Sequence, residues 1–330
     1  MNNDDVRVCI VGAGDFASRR IYPYLGPAGA NLAGICTRSL ESSRLNAKRY
    51  GGSQYTDLDT MLDKEKPDCV VVCVGPKEHP ELAIRAMKKG YPVYTEKPQA
   101  LSSSDSFQMA KVSKATGQLC SIAYKKRYAT VFDRAKKWIS SFPTEHLSSI
   151  SIDCAAGPFE NTEPNNSFLL QCGIHIIDLI IFLYGDVGKL FCFSRGMNAY
   201  SISLAFSNGA IGTMNLSDTG SMSVPTEEVE IGVDGGNFMR IHNGSEYKIC
   251  ENEKCVEWRE PTTFMSSGDS GYDTGILTEL IDFFAAAKEG RTTRSNIFES
   301  CKSLLIYEAI LESAHSEKIV EIDYSGIPEY

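Results

Sequence analysis

The N-terminal stretch 6–11 reads VRVCIV, a nearly continuous apolar run, and the sequence GAGDFA of residues 12–17 follows it at once. Such a run predicts a strand that is buried on both faces, and the pattern G-x-G-x-x-A predicts a tight turn into a helix. Gly12 permits the turn, Gly14 lets the backbone approach a phosphate, and Ala17 allows the helix to pack closely on the strand. The chain is therefore expected to begin with a parallel α/β sheet that binds a dinucleotide.

Three further apolar runs, 31–36, 69–74 and 92–94, alternate with helical patterns that end at glycines. Because the carboxyl ends of parallel strands lie at one edge of a sheet, where ligands bind, the residues that follow each run are expected to contact the cofactor. The candidate cofactor contacts are Gly12, Gly14, Asp15, Phe16, Ala17, Thr37, Arg38, Ser39, Gly75, Pro76, His79, Glu96 and Lys97.

The residues after the second strand bear on which dinucleotide is bound. A fold that prefers NAD usually carries an acidic residue there for the ribose 2′-hydroxyl, whereas this chain has Thr37, Arg38 and Ser39. A guanidinium and two hydroxyls suit a 2′-phosphate, and no carboxylate repels it. The sequence predicts that NADP(H) is preferred, with NAD(H) possible; the alternative is that Arg38 is only a solvated loop residue.

Lys97 stands out within the stretch Glu96-Lys97-Pro98, directly after the short strand 92–94. A lysine at the carboxyl edge of a parallel sheet is placed for chemistry or cofactor contact. The alternative is an ordinary surface ion pair with the neighbouring glutamate.

Beyond Tyr124 the pattern changes to strands separated by hairpin signals such as Asn208-Gly209, Asp234-Gly235 and Asn243-Gly244. At 330 residues the chain also exceeds the length at which one core stops growing. We therefore expect a dinucleotide-binding domain in residues 1–124 and an α+β domain in residues 125–330 with a large, mainly antiparallel open sheet. The proline-containing loop 155–166 of the second domain is expected to help form the substrate pocket.

A long apolar stretch, 168–184, interrupts this second pattern and predicts a buried helix of more than four turns. Gln171, His175 and Asp178 are spaced to share one face of it. Polar groups are costly to bury, so His175 is a candidate catalytic residue, against the alternative of a hydrogen-bonded core histidine. Asp178 is expected to be structural.

Composition excludes several classes of protein. No apolar run approaches the roughly 18 residues that span a bilayer, and the net charge of −9 lacks the basic footprint of a nucleic-acid-binding protein. Residues 1–5 leave no room for a signal peptide, so a cytoplasmic location is expected. The eleven cysteines lie mostly in apolar runs and the five histidines show no zinc spacing, which predicts reduced thiols and no metal site. The alternative that Cys250 and Cys255 form a local redox pair stays open.

With these motifs assembled, the chain resembles the Gfo/Idh/MocA oxidoreductases, the family of glucose-fructose oxidoreductase and inositol dehydrogenase. The matching features are the glycine turn, the loop 76–79, Glu96-Lys97-Pro98, the crossover 124–127 and the stretch 173–178 around His175. The resemblance implies a Rossmann domain, hydride transfer at a sugar or cyclitol carbinol, and Lys97 and His175 in the active site. It also implies substrate contacts from Lys97, Arg127, Gln171 and His175, and an open sheet that forms an oligomer interface.

One departure concerns Gln171, which stands where the family usually has a catalytic carboxylate, four residues before the histidine. Gln171 is counted with Lys97 and His175 in the predicted catalytic set. Two alternatives to a simple dehydrogenase therefore stay open. One is elimination or hydrolysis of a glycoside with a retained nicotinamide, and the other is a non-catalytic regulator that binds nucleotide and sugar.

Assembly is predicted from the run 202–206, where Ile202, Leu204 and Phe206 alternate with Ser203 and Ala205. The large apolar side chains should cover the buried helices, while the opposite face carries small, uncharged residues. An open sheet with such a face favours a partner, so we expect a homodimer or a homotetramer built sheet to sheet.

Overall fold

The computed structural model describes residues 5–163, 166–221, 226–261 and 271–329. The chain divides into two compact units, one of residues 1–125, 275–301 and 326–330 and one of residues 126–274 and 302–325. The first crossing lies next to the predicted boundary between residues 124 and 125, and two later segments belong with the N-terminal unit. Pro164 and Asn165, in the loop expected to line the substrate pocket, lie outside the described residues.

The N-terminal unit contains a six-stranded sheet with the order β3-β2-β1-β4-β5-β6, and every neighbouring pair is parallel. Its strands are β1 Val6–Val11, β2 Ala30–Cys36, β3 Ser53–Tyr55, β4 Cys69–Val72, β5 Val93–Thr95 and β6 Cys120–Ile122. This order is that of a Rossmann fold, and the strand order reverses between β1 and β4, where such sheets bind their ligand. The predicted fold class of this part is confirmed.

The α-helices of the described residues are α1 Leu40–Tyr50, α2 Leu58–Glu65, α3 His79–Lys88, α4 Ser103–Thr116, α5 Thr130–Ile139, α6 Ile174–Tyr184, α7 Gly271–Thr274, α8 Ile276–Glu289 and α9 Ile297–Ser316. Four of them begin at a side-chain cap. Ser39, Asp57, Ser102 and Asn296 accept hydrogen bonds from backbone N–H groups three residues further on, which satisfies donors that a helix start leaves open.

Helix α8 returns to complete the core of the N-terminal unit. Phe283 and Phe284 are buried in one cluster with Val8, Ile10 and other strand residues. The ring of Tyr94 on β5 lies 5.5 Å from that of Phe283, and its hydroxyl donates a 2.7 Å hydrogen bond to Glu279. The sheet that carries the glycine turn is thus covered by a helix that is distant in sequence, since Tyr94 and Glu279 are 185 residues apart.

The second unit is built on a nine-stranded sheet of order β14-β13-β12-β11-β7-β10-β9-β8-β15. Its strands are β7 Leu147–Ala155, β8 Val187–Arg195, β9 Ala199–Phe206, β10 Ile211–Ser217, β11 Thr226–Val233, β12 Asn237–His242, β13 Glu246–Glu251, β14 Lys254–Arg259 and β15 Val320–Glu321. Only the pair β7 and β10 is parallel among these described strands. The predicted large, mainly antiparallel sheet is confirmed.

One face of this sheet is covered and the other is open. Ile202, Leu204 and Phe206 are buried, and Ser203 between them is exposed, as the alternation predicts. At the end of α6, the Tyr184 hydroxyl lies 2.6 Å from the Ser149 carbonyl oxygen and anchors the helix to β7. Across the described residues, every helix is too short or too polar to cross a membrane.

Candidate active site

The glycine turn after β1 is held from three sides. Gly12 has φ +110°, and a Cβ atom there would lie 2.0 Å from the carbonyl oxygen of Cys73, so only glycine fits. The Gly12 N–H donates to the Cys36 carbonyl at 2.9 Å, and the Gly12 carbonyl accepts from the Tyr22 hydroxyl at 2.8 Å. Gly14, in contrast, has open space where a Cβ would stand. The backbone is therefore fixed on its inner side and accessible at Gly14.

The helix after this turn differs from the regular α-helix that the motif predicts. Residues Ala17–Ile21 form a π-helical turn, and Tyr22–Tyr24 continue as a 3₁₀ turn. Pro23 has no N–H to donate, so a regular α-helical ladder does not continue through it. Among the expected cofactor contacts here, Ala17 is buried against the core, Phe16 is 44% exposed, and the Asp15 carboxylate pairs with Arg19.

The turn fits a dinucleotide pyrophosphate. The first N–H groups of a helix have no partner within the helix and so can bind an anion. Gly14 leaves the space above the backbone open, where a larger residue would fill it. Gly12, Gly14 and the residues that follow them could thus hold the pyrophosphate of a nicotinamide dinucleotide.

At the end of β2, the three residues expected to contact the ribose, Thr37, Arg38 and Ser39, differ in their hydrogen bonds. The Thr37 hydroxyl donates to the Ser39 carbonyl oxygen at 2.6 Å, and the Ser39 hydroxyl accepts from Ser42 as the cap of α1. The Arg38 side chain is exposed, and no hydrogen bond or ion pair joins it to another residue in the described part of the chain. Arg38 is therefore the group of the three that is available to an external phosphate.

Two loops meet after β4 and β5. His79 begins α3 and is fully buried, and its Nδ1 lies 2.9 Å from the carbonyl oxygen of Pro98. Burial lowers the pKa of His79. Gly75 is exposed and Pro76 is half-buried, so both are accessible to a ligand. His79 instead supports the loop that contains Lys97 and Pro98, which are joined by a cis peptide bond. This burial favours a structural role for His79 over the expected cofactor contact.

Glu96 is buried beside Lys97, and burial raises its pKa to about 7 against the opposing charge of Lys97. The backbone N–H of Lys97 donates to Oε2 of Glu96 at 3.2 Å. The side chain of Lys97 is half-buried. Sequence reasoning missed Gln99, which is fully buried and holds the loop by donating to the Ser300 carbonyl at 2.8 Å and accepting from the Tyr124 hydroxyl at 3.1 Å.

The second group of predicted site residues lies on the helix of the C-terminal unit, which is not a single α-helix. Leu169–Gly173 form a π-helical turn before α6 begins at Ile174. Gly173 is a weak helix former at the junction, and π turns often occur at functional positions. Gln171 lies in the π turn and His175 in the first turn of α6, and both are half-buried.

Arg127 is buried and paired, whereas a residue that contacts substrate would be accessible. Its guanidinium is buried and donates two hydrogen bonds to Asp178, at 2.9 Å from Nε and 2.8 Å from Nη2. Ser303 on α9 donates to the same carboxylate at 3.1 Å. Asp178 is structural, as expected, and the pairing favours a structural role for Arg127 in place of the substrate contact that the resemblance implied.

A series of hydrogen-bonded polar side chains that the sequence did not reveal fixes Phe168, the residue before the π-helical turn Leu169–Gly173. Asn198 donates to the largely buried Asp218 at 2.8 Å, and Asn161 donates to the same carboxylate oxygen. The side-chain amide oxygen Oδ1 of Asn161 in turn accepts from the Phe168 N–H at 2.8 Å. The only hint in the sequence is that Asn and Asp residues favour turns and helix starts. Within the described residues, no cluster of His, Cys, Asp and Glu could hold a metal ion.

Comparison with known proteins supports the motif analysis. Residues 6–124 match the sequence model of the Gfo/Idh/MocA oxidoreductase family, described as having an NAD-binding Rossmann fold. The chain is 24% identical to a 4-carboxy-2-hydroxymuconate-6-semialdehyde dehydrogenase from Sphingobium, over 88% of this chain and 93% of that one. It is 22% identical to a D-apiose dehydrogenase from Rhizobium rhizogenes, over 98% and 99%.

Among solved structures, a levoglucosan dehydrogenase in complex with NADH and L-sorbose superposes with a TM-score of 0.83. The match covers 97% of this chain and 99% of that one at 19% identity. At this identity the likeness concerns the fold, and it extends through both halves of the chain. The family recognised from the motifs is confirmed over residues 6–124, the part of the chain that the family model matches.

Proposed function

Since residues 6–124 match the Gfo/Idh/MocA oxidoreductase family, we propose that this chain is an NADP(H)-dependent dehydrogenase or reductase of sugars, cyclitols or related polyols. The observation that carries the proposal lies within the N-terminal unit. The glycine turn after β1 and the Glu96-Lys97 loop after β5 flank the end of β4, where Gly12 packs on Cys73 and the Glu96 N–H donates to Val72 at 3.0 Å. A phosphate site and a lysine therefore share one sheet edge.

The preference for NADP(H) rests on Arg38. Its guanidinium is exposed directly after β2, and no carboxylate follows that strand to bind a ribose 2′-hydroxyl or to repel a phosphate. Arg forms strong charge-assisted hydrogen bonds with phosphate oxygens. The family description and the NADH complex of the levoglucosan dehydrogenase concern NAD, so the proposed preference for the phosphorylated form rests on the residues after β2 and not on these two comparisons.

The proposed chemistry is the exchange of a hydride between the nicotinamide, when bound, and a carbinol carbon. In the oxidative direction His175 accepts the hydroxyl proton at a ring nitrogen, and the Lys97 ammonium stabilises the developing negative charge on oxygen. Gln171, one turn before His175, supplies an amide that can orient the ring or the substrate but cannot carry charge. The carbohydrate-like substrate follows from relatives that are named as dehydrogenases of apiose and glucosides.

The assembly that we propose is a homodimer or homotetramer in which open sheet faces meet. Phe193 and Ile211 on the open face are 67% and 61% exposed, and the rings of Phe191 and Phe193 lie 4.7 Å apart. Large apolar side chains exposed together on one face of a sheet are typical of an interaction surface.

Nicotinamide absorbance tests the proposed activity. Purified enzyme is mixed with NADPH or NADP⁺ and a panel of ketoses, polyols and cyclitols, and the appearance or loss of the reduced cofactor is followed. Turnover of free NADP(H) supports the proposal. Tightly retained nucleotide with glycoside cleavage and no net turnover supports elimination instead, and sugar binding without chemistry supports a regulator, for which Gln171 is the favouring feature.

A further inference from the structure

Cys250 and Cys255 face each other across the hairpin of β13 and β14. They are partners in the antiparallel register, and the neighbouring pair Glu251 and Lys254 closes the turn. The two turn residues, Asn252 and Glu253, have φ values of 51° and 65°. Two consecutive residues with positive φ are typical of a tight type I′ turn, which fixes the register of the strands beside it.

This register places the two cysteines within reach of a disulfide. Directly opposed residues of an antiparallel pair have Cα atoms about 4.5 to 5.5 Å apart. A disulfide accepts Cα separations of about 4.4 to 6.8 Å, a range that includes these values. The Cys255 thiol donates to the carbonyl oxygen of Glu257 on its own strand at 3.6 Å, and burial together with the nearby Cys255 raises the pKa of the Cys250 thiol.

The pair is also accessible. Cys255 is exposed and Cys250 half-buried, and β14 is the edge strand of the sheet. Val256 and Trp258 beside Cys255 are 55% and 56% exposed. Oxidants and thiol reagents act on thiols that they can reach, so accessibility separates this pair from the buried cysteines of the chain.

We propose that Cys250 and Cys255 form a redox-active dithiol that closes to a disulfide on exposure to a peroxide and reopens with a dithiol reductant. The Cys255 thiolate attacks one peroxide oxygen, the O–O bond breaks, and Cys255 becomes a sulfenic acid while the second oxygen leaves as water after protonation. The Cys250 sulfur then attacks the Cys255 sulfur, the S–O bond breaks, and a second water leaves. Two thiols and one peroxide thus give one disulfide and two waters.

The chain contains a matched control pair. The Cys172 thiol in the π turn, together with burial, holds the pKa of the Cys154 thiol on β7 well above its usual range. Cys154 is 6% exposed. Because the thiolate is the reactive form and the oxidant must reach it, this pair should stay reduced under conditions that close the hairpin pair.

The test treats the full chain with a small excess of hydrogen peroxide, then alkylates the free thiols and maps disulfides by peptide mass spectrometry without reduction. We expect one disulfide, Cys250 to Cys255, a mass lower by two hydrogens, and loss of these two thiols at least about tenfold faster than of the buried ones. Dithiothreitol should restore both thiols.

Variants complete the design. Cys255→Ser should form no disulfide, Cys250→Ser should stop at a sulfenic acid on Cys255 that dimedone traps, and Cys154→Ser should close the hairpin pair as the unmutated chain does. Both hairpin variants lie at an exposed edge, and circular dichroism checks that they fold. The proposal is overturned if the unmutated chain keeps both hairpin thiols while free glutathione is oxidised in the same tube, or if the disulfide forms at Cys154 and Cys172.

Discussion

Nδ1 of His79 lies 2.9 Å from the carbonyl oxygen of Pro98, a contact that ties the start of α3 to the loop carrying Lys97. A carbonyl oxygen only accepts, so Nδ1 must hold the hydrogen and donate it. Both residues are buried, so the Pro98 carbonyl has no water to replace this donor. The position of Lys97 therefore depends on a histidine that the sequence suggested as a cofactor contact.

Replacing this donor gives the first prediction. His79→Leu leaves a buried carbonyl unsatisfied and should lower the free energy of unfolding by about 1 to 3 kcal/mol. His79→Asn, whose amide nitrogen lies near the position of Nδ1, should retain more of that stability and more of the turnover. Denaturant unfolding and steady-state kinetics check this. Equal losses in both variants would show that ring packing, not the hydrogen bond, supports the loop.

The raised pKa of Glu96 predicts a pH-dependent stability. The pKa of this carboxyl rises from 4.5 to about 7 on folding, so between these values the native state holds a proton that the unfolded chain has lost. The contribution of Glu96 to stability is therefore complete below pH 4.5 and is lost as the pH rises through about 7. Glu96→Gln should remove this slope and be more stable above pH 7 by roughly 3 kcal/mol at most.

Denaturant unfolding of the unmutated protein and Glu96→Gln across this pH range measures the difference. Glu41→Gln, which changes an exposed carboxylate at the start of α1, serves as the control and should keep the original profile. Parallel curves for the unmutated protein and Glu96→Gln would contradict the assignment of a buried, neutral Glu96.

Cofactor choice depends on Arg38 in this account. Arg38→Ala should weaken NADPH binding about tenfold to a hundredfold and leave NADH binding nearly unchanged, because the lost contact is with the 2′-phosphate. Lys88→Ala removes one exposed positive charge from the end of α3 and should change neither constant. Titration of both nucleotides into the three proteins checks this. Equal dissociation constants for NADPH and NADH in the unmutated protein would refute the preference.

Assembly is tested at Phe193. Phe193→Lys places a charge on the open face of the sheet and should convert the oligomer to a smaller species, because burying an unpaired charge is costly. Leu45→Lys changes another exposed apolar side chain, on α1, and should leave the assembly intact. Light scattering at micromolar concentration decides the matter, and a monomer for the unmutated chain would contradict the proposal.

The parts of the fold that the sequence predicted are those with strong local patterns. The run 6–11 and the glycines after it define a parallel strand and its turn, and the hairpin signals after Tyr124 define the antiparallel sheet. The caps of α1 and α4 are readable because Ser39 and Ser102 directly precede helical runs. Strand ends then indicate Arg38 and Lys97, since parallel strands share one ligand-binding edge.

The rest depended on contacts distant in sequence or on small shifts in backbone pairing. The pairing of Arg127 with Asp178, 51 residues apart, has no local signal, so Arg127 was left available for a substrate. The return of α8 to the first unit is equally non-local. The two π turns insert one residue into a helical ladder, which leaves the apolar pattern of Leu169–Gly173 nearly unchanged.

The most direct test of the proposed hydride transfer follows a deuterium label. A polyol or sugar that the activity screen identifies is deuterated at its carbinol carbon and mixed with NADP⁺ and excess enzyme, and the nucleotide is analysed by mass spectrometry after one turnover. We predict deuterated NADPH from the unmutated protein, and loss of most transfer in Lys97→Ala and in His175→Ala with nucleotide binding preserved. Nucleotide that stays unlabelled while the substrate reacts, or near-normal transfer by His175→Ala at every pH, would contradict the account.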